Sequence, residues 1–208
     1  LFMVINTSSD TILNETIKSK INTFRKKYNV LFIYRQNKYL LGKNQKSILE
    51  DTIFNDHGWR MNIPWGWISK KNIKDTNFVW LGKEMPFQWI GVTWISGDNI
   101  SKMDKLEIGR YMWDWPKKYY GNIQFNDYKF KLDEALFNGS SAWRGKGVWE
   151  TIDKLDAKGG PFCSYFFYDR VTDRTFYINY LMHHPGNDKS IYMRKLDQIV
   201  RSINTKIK

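Results

Sequence analysis

The chain has 208 residues, enough for one domain or two small packed ones. Its 42% apolar and 17% aromatic content, with 10 Trp, 12 Tyr and 13 Phe, excludes intrinsic disorder and supplies a sizeable core. Thirty-three Lys and Arg against 21 Asp and Glu give a net charge of +12, but Lys18, Lys20, Lys43, Lys46, Lys102 and Lys105 sit singly among polar residues. The charge therefore reads as a solvated surface, and no nucleic-acid partner is expected. The lone cysteine, Cys163, forbids an intrachain disulfide and sits in an apolar run as a core residue would. No apolar run is long enough for a membrane-spanning helix.

Residues 2–6 read as a short buried strand, entered directly from Leu1 as in a processed or truncated product. Ser8-Ser9-Asp10 then offer caps for a helix in which Ile12, Leu13, Ile17, Ile21 and Phe24 recur at helical spacing up to Tyr28. Residues 30–40, opening on Val30-Leu31-Phe32-Ile33, read as a strand. A second helix is expected over 43–56, ended by Gly58. Trp59–Ile63, Trp65–Ile68, Asn77–Gly82 and Gln88–Ile95 read as extended. In the last of these, Trp89, Gly91, Thr93 and Ile95 share one face, and Ile90, Val92 and Trp94 the other. A helix is expected from Asp98 to Tyr111, continuing to Trp115 before Pro116. Residues 119–147 form the least regular part, with an extended piece at Tyr128–Leu132. Val148–Ile152 reads as a strand and Asp153–Gly160 as a turn. Phe162–Tyr168 and Arg174–Leu181 form an antiparallel hairpin. After Pro185-Gly186-Asn187-Asp188 comes a terminal helix with Ile191, Met193, Leu196, Ile199, Val200 and Ile203 on its apolar face, packed across the hairpin. These elements predict an α+β fold, a mainly antiparallel sheet with helices packed on one face. Residues 1–208 read as a single domain, with about 1–98 and 99–208 as two intimately packed subdomains if it divides.

Ala142, Arg144, Gly147-Val148-Trp149-Glu150 and Gly159-Gly160-Pro161-Phe162, followed by the hairpin and Tyr192-Met193-Arg194-Lys195-Leu196, carry a resemblance. This pattern resembles an uncharacterised family of Bacteroidota lipoproteins, domain of unknown function 4837. Asn62-Ile63-Pro64 and Asn77-Phe78-Val79-Trp80-Leu81 extend it over most of the chain. The strand ending Asn179-Tyr180-Leu181-Met182-His183 departs from the family pattern. The resemblance implies mixed α/β architecture and an exported, lipid-anchored protein of the cell envelope. Its signal peptide, anchor and an N-terminal portion would be absent from this chain. It implies no activity and no catalytic residue.

Among candidate chemistry, His183 and His184 point to opposite faces if extended, so no metal site is expected. Cys163 with His183 could imitate a nucleophile–base pair, but nothing around them supports it. Glu150 as acid or base, with Arg144 as an anion clamp and His183 beside them, is the catalytic possibility. The alternative for Arg144 and Glu150 is a structural ion pair beside a buried Trp149. Gly159-Gly160-Pro161 lacks the Lys-Ser/Thr of a phosphate loop and reads as a turn or bulge motif. Trp113, Trp115, Tyr119 and Tyr120, with Lys117 and Lys118 among them, read as a binding patch for a protein or an envelope component. No cofactor is expected. The leading functional expectation is a noncatalytic envelope binding or scaffolding module; a hydrolase-like enzyme is the alternative.

Overall fold

The computed structural model describes residues 2–40, 47–153 and 155–205. The chain forms two compact units, Leu1–Asn44 and Gln45–Lys208. The first holds one helix, α1 (Asp10–Leu40), opened by Ser9, whose Oγ accepts the Ile12 N–H at 3.4 Å. The strands expected at 2–6 and 30–40 are not formed. No Gly or Pro lies between residues 10 and 40, so nothing breaks the helix once nucleated. A four-residue apolar run such as Val30–Ile33 fits a helix as well as a strand.

The second unit opens with α2 (Ser47–His57), and its end matches expectation. Gly58 takes φ +71° and its N–H bonds the Phe54 carbonyl at 2.8 Å. The expected start at 43–46 lies outside the described residues. One antiparallel sheet follows, made of β1 (Ile68–Ile73), β2 (Phe78–Lys83), β3 (Phe87–Ser96), β4 (Ile123–Phe125), β5 (Lys131–Phe137), β6 (Ser140–Thr151), β7 (Gly159–Asp169) and β8 (Arg174–His183). Its order is β1-β2-β3-β8-β7-β6-β4, and β5 also pairs with β6. β5 takes Ser140–Lys146 of β6 and β4 takes Trp149–Thr151, so both lie on the side of β6 away from β7.

The α+β class and the antiparallel sheet agree with the sequence reading; several local expectations do not. Trp59–Ile63 contributes a single bridge, Arg60 to Asn204. Trp65 and Gly66 form a turn, Gly66 at φ +86°, and the strand begins only at Ile68. The region 119–147, expected to be irregular, holds β4, β5 and most of β6, so Arg144–Gly147 is strand rather than loop. Gly159-Gly160-Pro161 likewise opens β7 instead of making a turn. Glycines hid these strands because they read as turn residues, yet each lies under a close neighbour. A Cβ on Gly145 would meet Met112 Sδ at 2.8 Å, and one on Gly147 the Lys129 carbonyl oxygen at 2.5 Å.

Helices cover both faces of the sheet, not one. Ile53 of α2 and Leu196, Ile199 and Val200 of α4 (Ser190–Arg201) pack with Val79, Leu81, Ile90, Val92 and Ile178. Ile108, Met112 and Trp115 of α3 (Lys105–Tyr119) pack on the other face with Phe78, Phe162, Phe166, Tyr177 and Leu181. The cause is in the central strands: β8 is buried without a break from Thr175 to Met182, so both its faces need cover. The α3 helix starts later than expected because Asp104 caps it. Glu107 N–H donates to Asp104 Oδ1, and Asp104 N–H donates to Glu107 Oε2, both at 2.8 Å. It also runs through Pro116. The terminal helix forms as expected and buries Leu196, Ile199 and Val200, but Ile191 of the expected face is exposed, Met193 is half-buried and Ile203 lies beyond the helix end.

Candidate functional site

Arg144 and Glu150 lie six residues apart on β6, roughly 20 Å along an extended strand. Arg144 pairs with Asp133 of β5 at 3.5 Å, and Lys146 joins the same carboxylate at 3.0 Å. The Lys146 hydrogen bond, then Arg144, holds the Asp133 carboxyl below its usual range. Arg144 Nε is buried with no hydrogen-bond partner among the described residues. Glu150 accepts from Gln124 Nε2 at 3.1 Å, across the β4–β6 pair. Both side chains alternate with Trp149 and so leave the sheet on the opposite face to it. His183 sits on the Trp149 face, its ring 6.3 Å from Trp149 and 6.5 Å from Phe87, with Nδ1 2.7 Å from the Gly159 carbonyl oxygen. The three candidate catalytic residues are therefore not brought into one cleft.

The other histidines are also occupied. His184 stacks on Tyr192, and His57 packs edge-on to Trp94 with Asn72 Oδ1 at its Nε2. Cys163 lies on the face opposite His183, and burial pushes its thiol up to about 11. Among the described residues, no group of three or more His, Cys, Asp or Glu could hold a metal ion.

The aromatic run of α3 divides between core and surface. Trp115 and Tyr120 are buried and belong to the core, contrary to their expected place in an exposed patch. Trp115 Nε1 donates to Thr93 Oγ1 at 2.8 Å, and Tyr120 donates to Asn179 Oδ1 at 3.1 Å. Ser164 then accepts from Asn179 at 2.9 Å and from Tyr177 at 2.8 Å. This network fixes α3 on the sheet without leaving these polar groups unsatisfied. Burial raises the hydroxyls of Tyr120 and Tyr177, and lifts Tyr111 beside them to about 12. Tyr119 is half-buried against Phe78, while Lys117 and Lys118 are exposed.

Of the four expected aromatics, Trp113 lines an open groove among the described residues. The groove, about 540 Å³, runs along the outer flank of α3. Leu106, Gly109, Arg110 and Trp113 form one wall, and Phe130 and Leu132 the other. The walls lie in contact range at Gly109, where a Cβ would make an ordinary van der Waals contact with Leu132 Cδ2 at 3.6 Å. Trp113 meets Phe130 edge-on at 5.6 Å. A second depression of about 430 Å³ continues along β5, over Glu134, Leu136 and Trp143. Lys105 links the two, lining the first with its Nζ 6.0 Å from the Trp143 ring. Apart from Trp113 these residues were not singled out in the sequence. The missed signal was Asn138-Gly139, a two-residue hairpin turn that announces β5 and β6.

Residues 45–202 match the family model for a domain of unknown function, DUF4837, and the chain belongs to that family. No curated protein matches the sequence. Among solved structures, the chain is similar to a Bacteroides thetaiotaomicron protein at 8% identity and TM-score 0.43, over 74% of this chain and 47% of that one. The chain thus spans about half that protein's length. It is also similar to the Saccharomyces cerevisiae Ran-binding protein Mog1p, with 13% identity, TM-score 0.44 and coverage of 71% and 90%. LpqN of Mycobacterium tuberculosis, involved in cell envelope biogenesis, is similar at 11% identity and TM-score 0.38, over 70% and 81%. Likeness at this level transfers no function.

Proposed function

We propose that this DUF4837 domain is a noncatalytic binding module of the cell envelope that holds a partner protein in the groove between α3 and β5. The groove itself carries the reading: an apolar, open channel with a half-buried Trp113, Phe130 and Leu132 as anchors. The separation of Arg144, Glu150 and His183 supports binding over catalysis. The envelope context rests on the resemblance to Bacteroidota lipoproteins. No described helix is long and apolar enough to cross a membrane.

A photo-crosslinking residue at exposed Leu106, in the full-length protein inside its producing cell, tests the reading. A second at exposed Ile73 on the far edge of the sheet serves as the control. The reading expects one discrete adduct in the membrane fraction from position 106, lost in Trp113→Ala. The same adduct from both positions, or recovery from the soluble fraction without an adduct, would overturn it.

A further inference from the structure

We infer that the groove takes its partner as an added β-strand: an extended segment of another protein pairs with the open edge of β5 and sets alternate apolar and acidic side chains under the flank of α3. This rests on the binding-module reading above and deepens it.

Asn138 and Gly139 have φ of +50° and +89°, so Phe137 and Ser140 flank a two-residue turn and form its hydrogen-bonded pair. By alternation, Lys131, Asp133 and Ala135 also exchange bonds with β6, while Leu132, Glu134 and Leu136 turn their backbone groups outward. A side chain corroborates this direction: Arg201 Nη1 reaches the Leu136 carbonyl from outside at 3.5 Å. The outward N–H and C=O of Leu132 and Glu134 have no partner among the described residues. They run beside the groove, whose wall includes Leu132.

The two edges of the sheet differ. β1 is interrupted by an irregularity between Ser69 and Lys71 and carries Lys70 and Lys71, devices that blunt an edge. β5 keeps regular register over all seven residues from Lys131 to Phe137. Its outward groups are thus presented in the geometry that strand addition uses.

Charge selects the occupant. Lys105 and Arg110 line the α3 wall with no carboxylate at ion-pair distance among the described residues, and Asp114 is the one acid there. Asp133, on the other face of β5, is already matched by Arg144 and Lys146. A second copy fits poorly, because antiparallel pairing of two β5 strands about Glu134 would oppose like carboxylates. The favoured segment places a large apolar side chain between Leu106 and Trp113. Two residues on, hence on the same face, it carries a carboxylate within reach of Arg110 or Lys105.

The test uses the intact chain and three end-blocked synthetic peptides: Leu-Thr-Glu-Thr-Leu-Thr-Glu, the same with Lys for Glu, and a scramble that breaks the alternation. Amide hydrogen exchange at Leu132 and Glu134 is read beside tryptophan fluorescence. The acidic alternating peptide should slow exchange at both amides about tenfold or more and bind about tenfold tighter than the other two. Glu134→Pro should abolish the effect, since an edge proline removes only an outward N–H. Should that variant not fold, Arg110→Glu at an exposed position should invert the preference toward the Lys peptide. Equal binding of all three peptides, or binding by none, overturns the inference. A fluorescence response without protection of β5 also overturns strand addition, yet leaves the groove itself standing; loss of the Leu106 adduct would instead remove the groove.

Discussion

The Trp149 indole Nε1 donates to the Met182 carbonyl oxygen at 3.0 Å, reaching from β6 across β7 to β8. It can do so only because Gly160 lies between them. A Cβ on Gly160 would sit 2.0 Å from that oxygen and 3.4 Å from the indole nitrogen. The Gly-Val-Trp-Glu and Gly-Gly-Pro-Phe segments are thus two halves of one packing device. Gly160→Ala is expected to cost about 3 kcal/mol or more, through displaced backbone and an orphaned buried donor. Urea unfolding should show it as a lower midpoint at unchanged slope.

The tryptophans of α3 should separate cleanly. Trp115→Ala removes a buried side chain and the Thr93 hydrogen bond, and should cost about 3–5 kcal/mol. Trp113→Ala should cost about 1 kcal/mol, since the side chain is only half-buried, yet lose the partner. Denaturant midpoints and adduct yield on the same two proteins check this. Equal loss of stability would mean that Trp113 is core as well.

Asp197 of α4 accepts both tyrosine hydroxyls beneath it, Tyr165 at 3.0 Å and Tyr180 at 2.8 Å, and pairs with Arg201 at 2.8 Å. Asp197→Asn should destabilise by about 2 kcal/mol, a value discounted because the ion pair is about one-third exposed. The Tyr165→Phe variant should lose less, because Arg201 keeps Asp197. Thermal denaturation of both variants checks the order.

Alkaline pH should unfold the domain earlier than its charge alone would. Burial raises Cys163 from 9.0 to about 11, and Tyr111 from 10.0 to about 12. The neutral forms are favoured in the folded state, so above about pH 9 the unfolded chain binds fewer protons than the folded one. This contribution is full below pH 9 and lost as pH rises through 11 to 12. Stability measured by urea titration at successive pH values should fall over that window. A thiol-reactive probe should label native Cys163 slowly at pH 8 and rapidly once urea unfolds the chain.

The hairpin of β7 and β8, the faces of β3 and the closing helix were legible because their apolar residues alternate or recur without interruption. Ile90, Val92 and Trp94 lie in one core, while Gly91 and Thr93 meet Trp115 on the other face, as period two requires. The β5–β6 pair was obscured by Gly145, Gly147 and scattered charges, although Asn138-Gly139 marked its turn. Continuous α1 was obscured by the apolar run Val30–Ile33. The groove was half legible: Trp113 stood out, but Leu132 and Phe130 gain meaning only once β5 folds beside α3. Sequence proximity also suggested a shared role for Arg144 and Glu150, which the length of β6 separates.

The central claim is that the α3–β5 groove, rather than the Arg144, Glu150 and His183 set, is the working site. The most direct measurement compares the position-106 adduct in full-length Trp113→Ala with that in a Glu150→Gln, His183→Asn double variant, both first shown to be folded. The account predicts loss in the first and wild-type yield in the second. Retention in Trp113→Ala with loss in the double variant would contradict it.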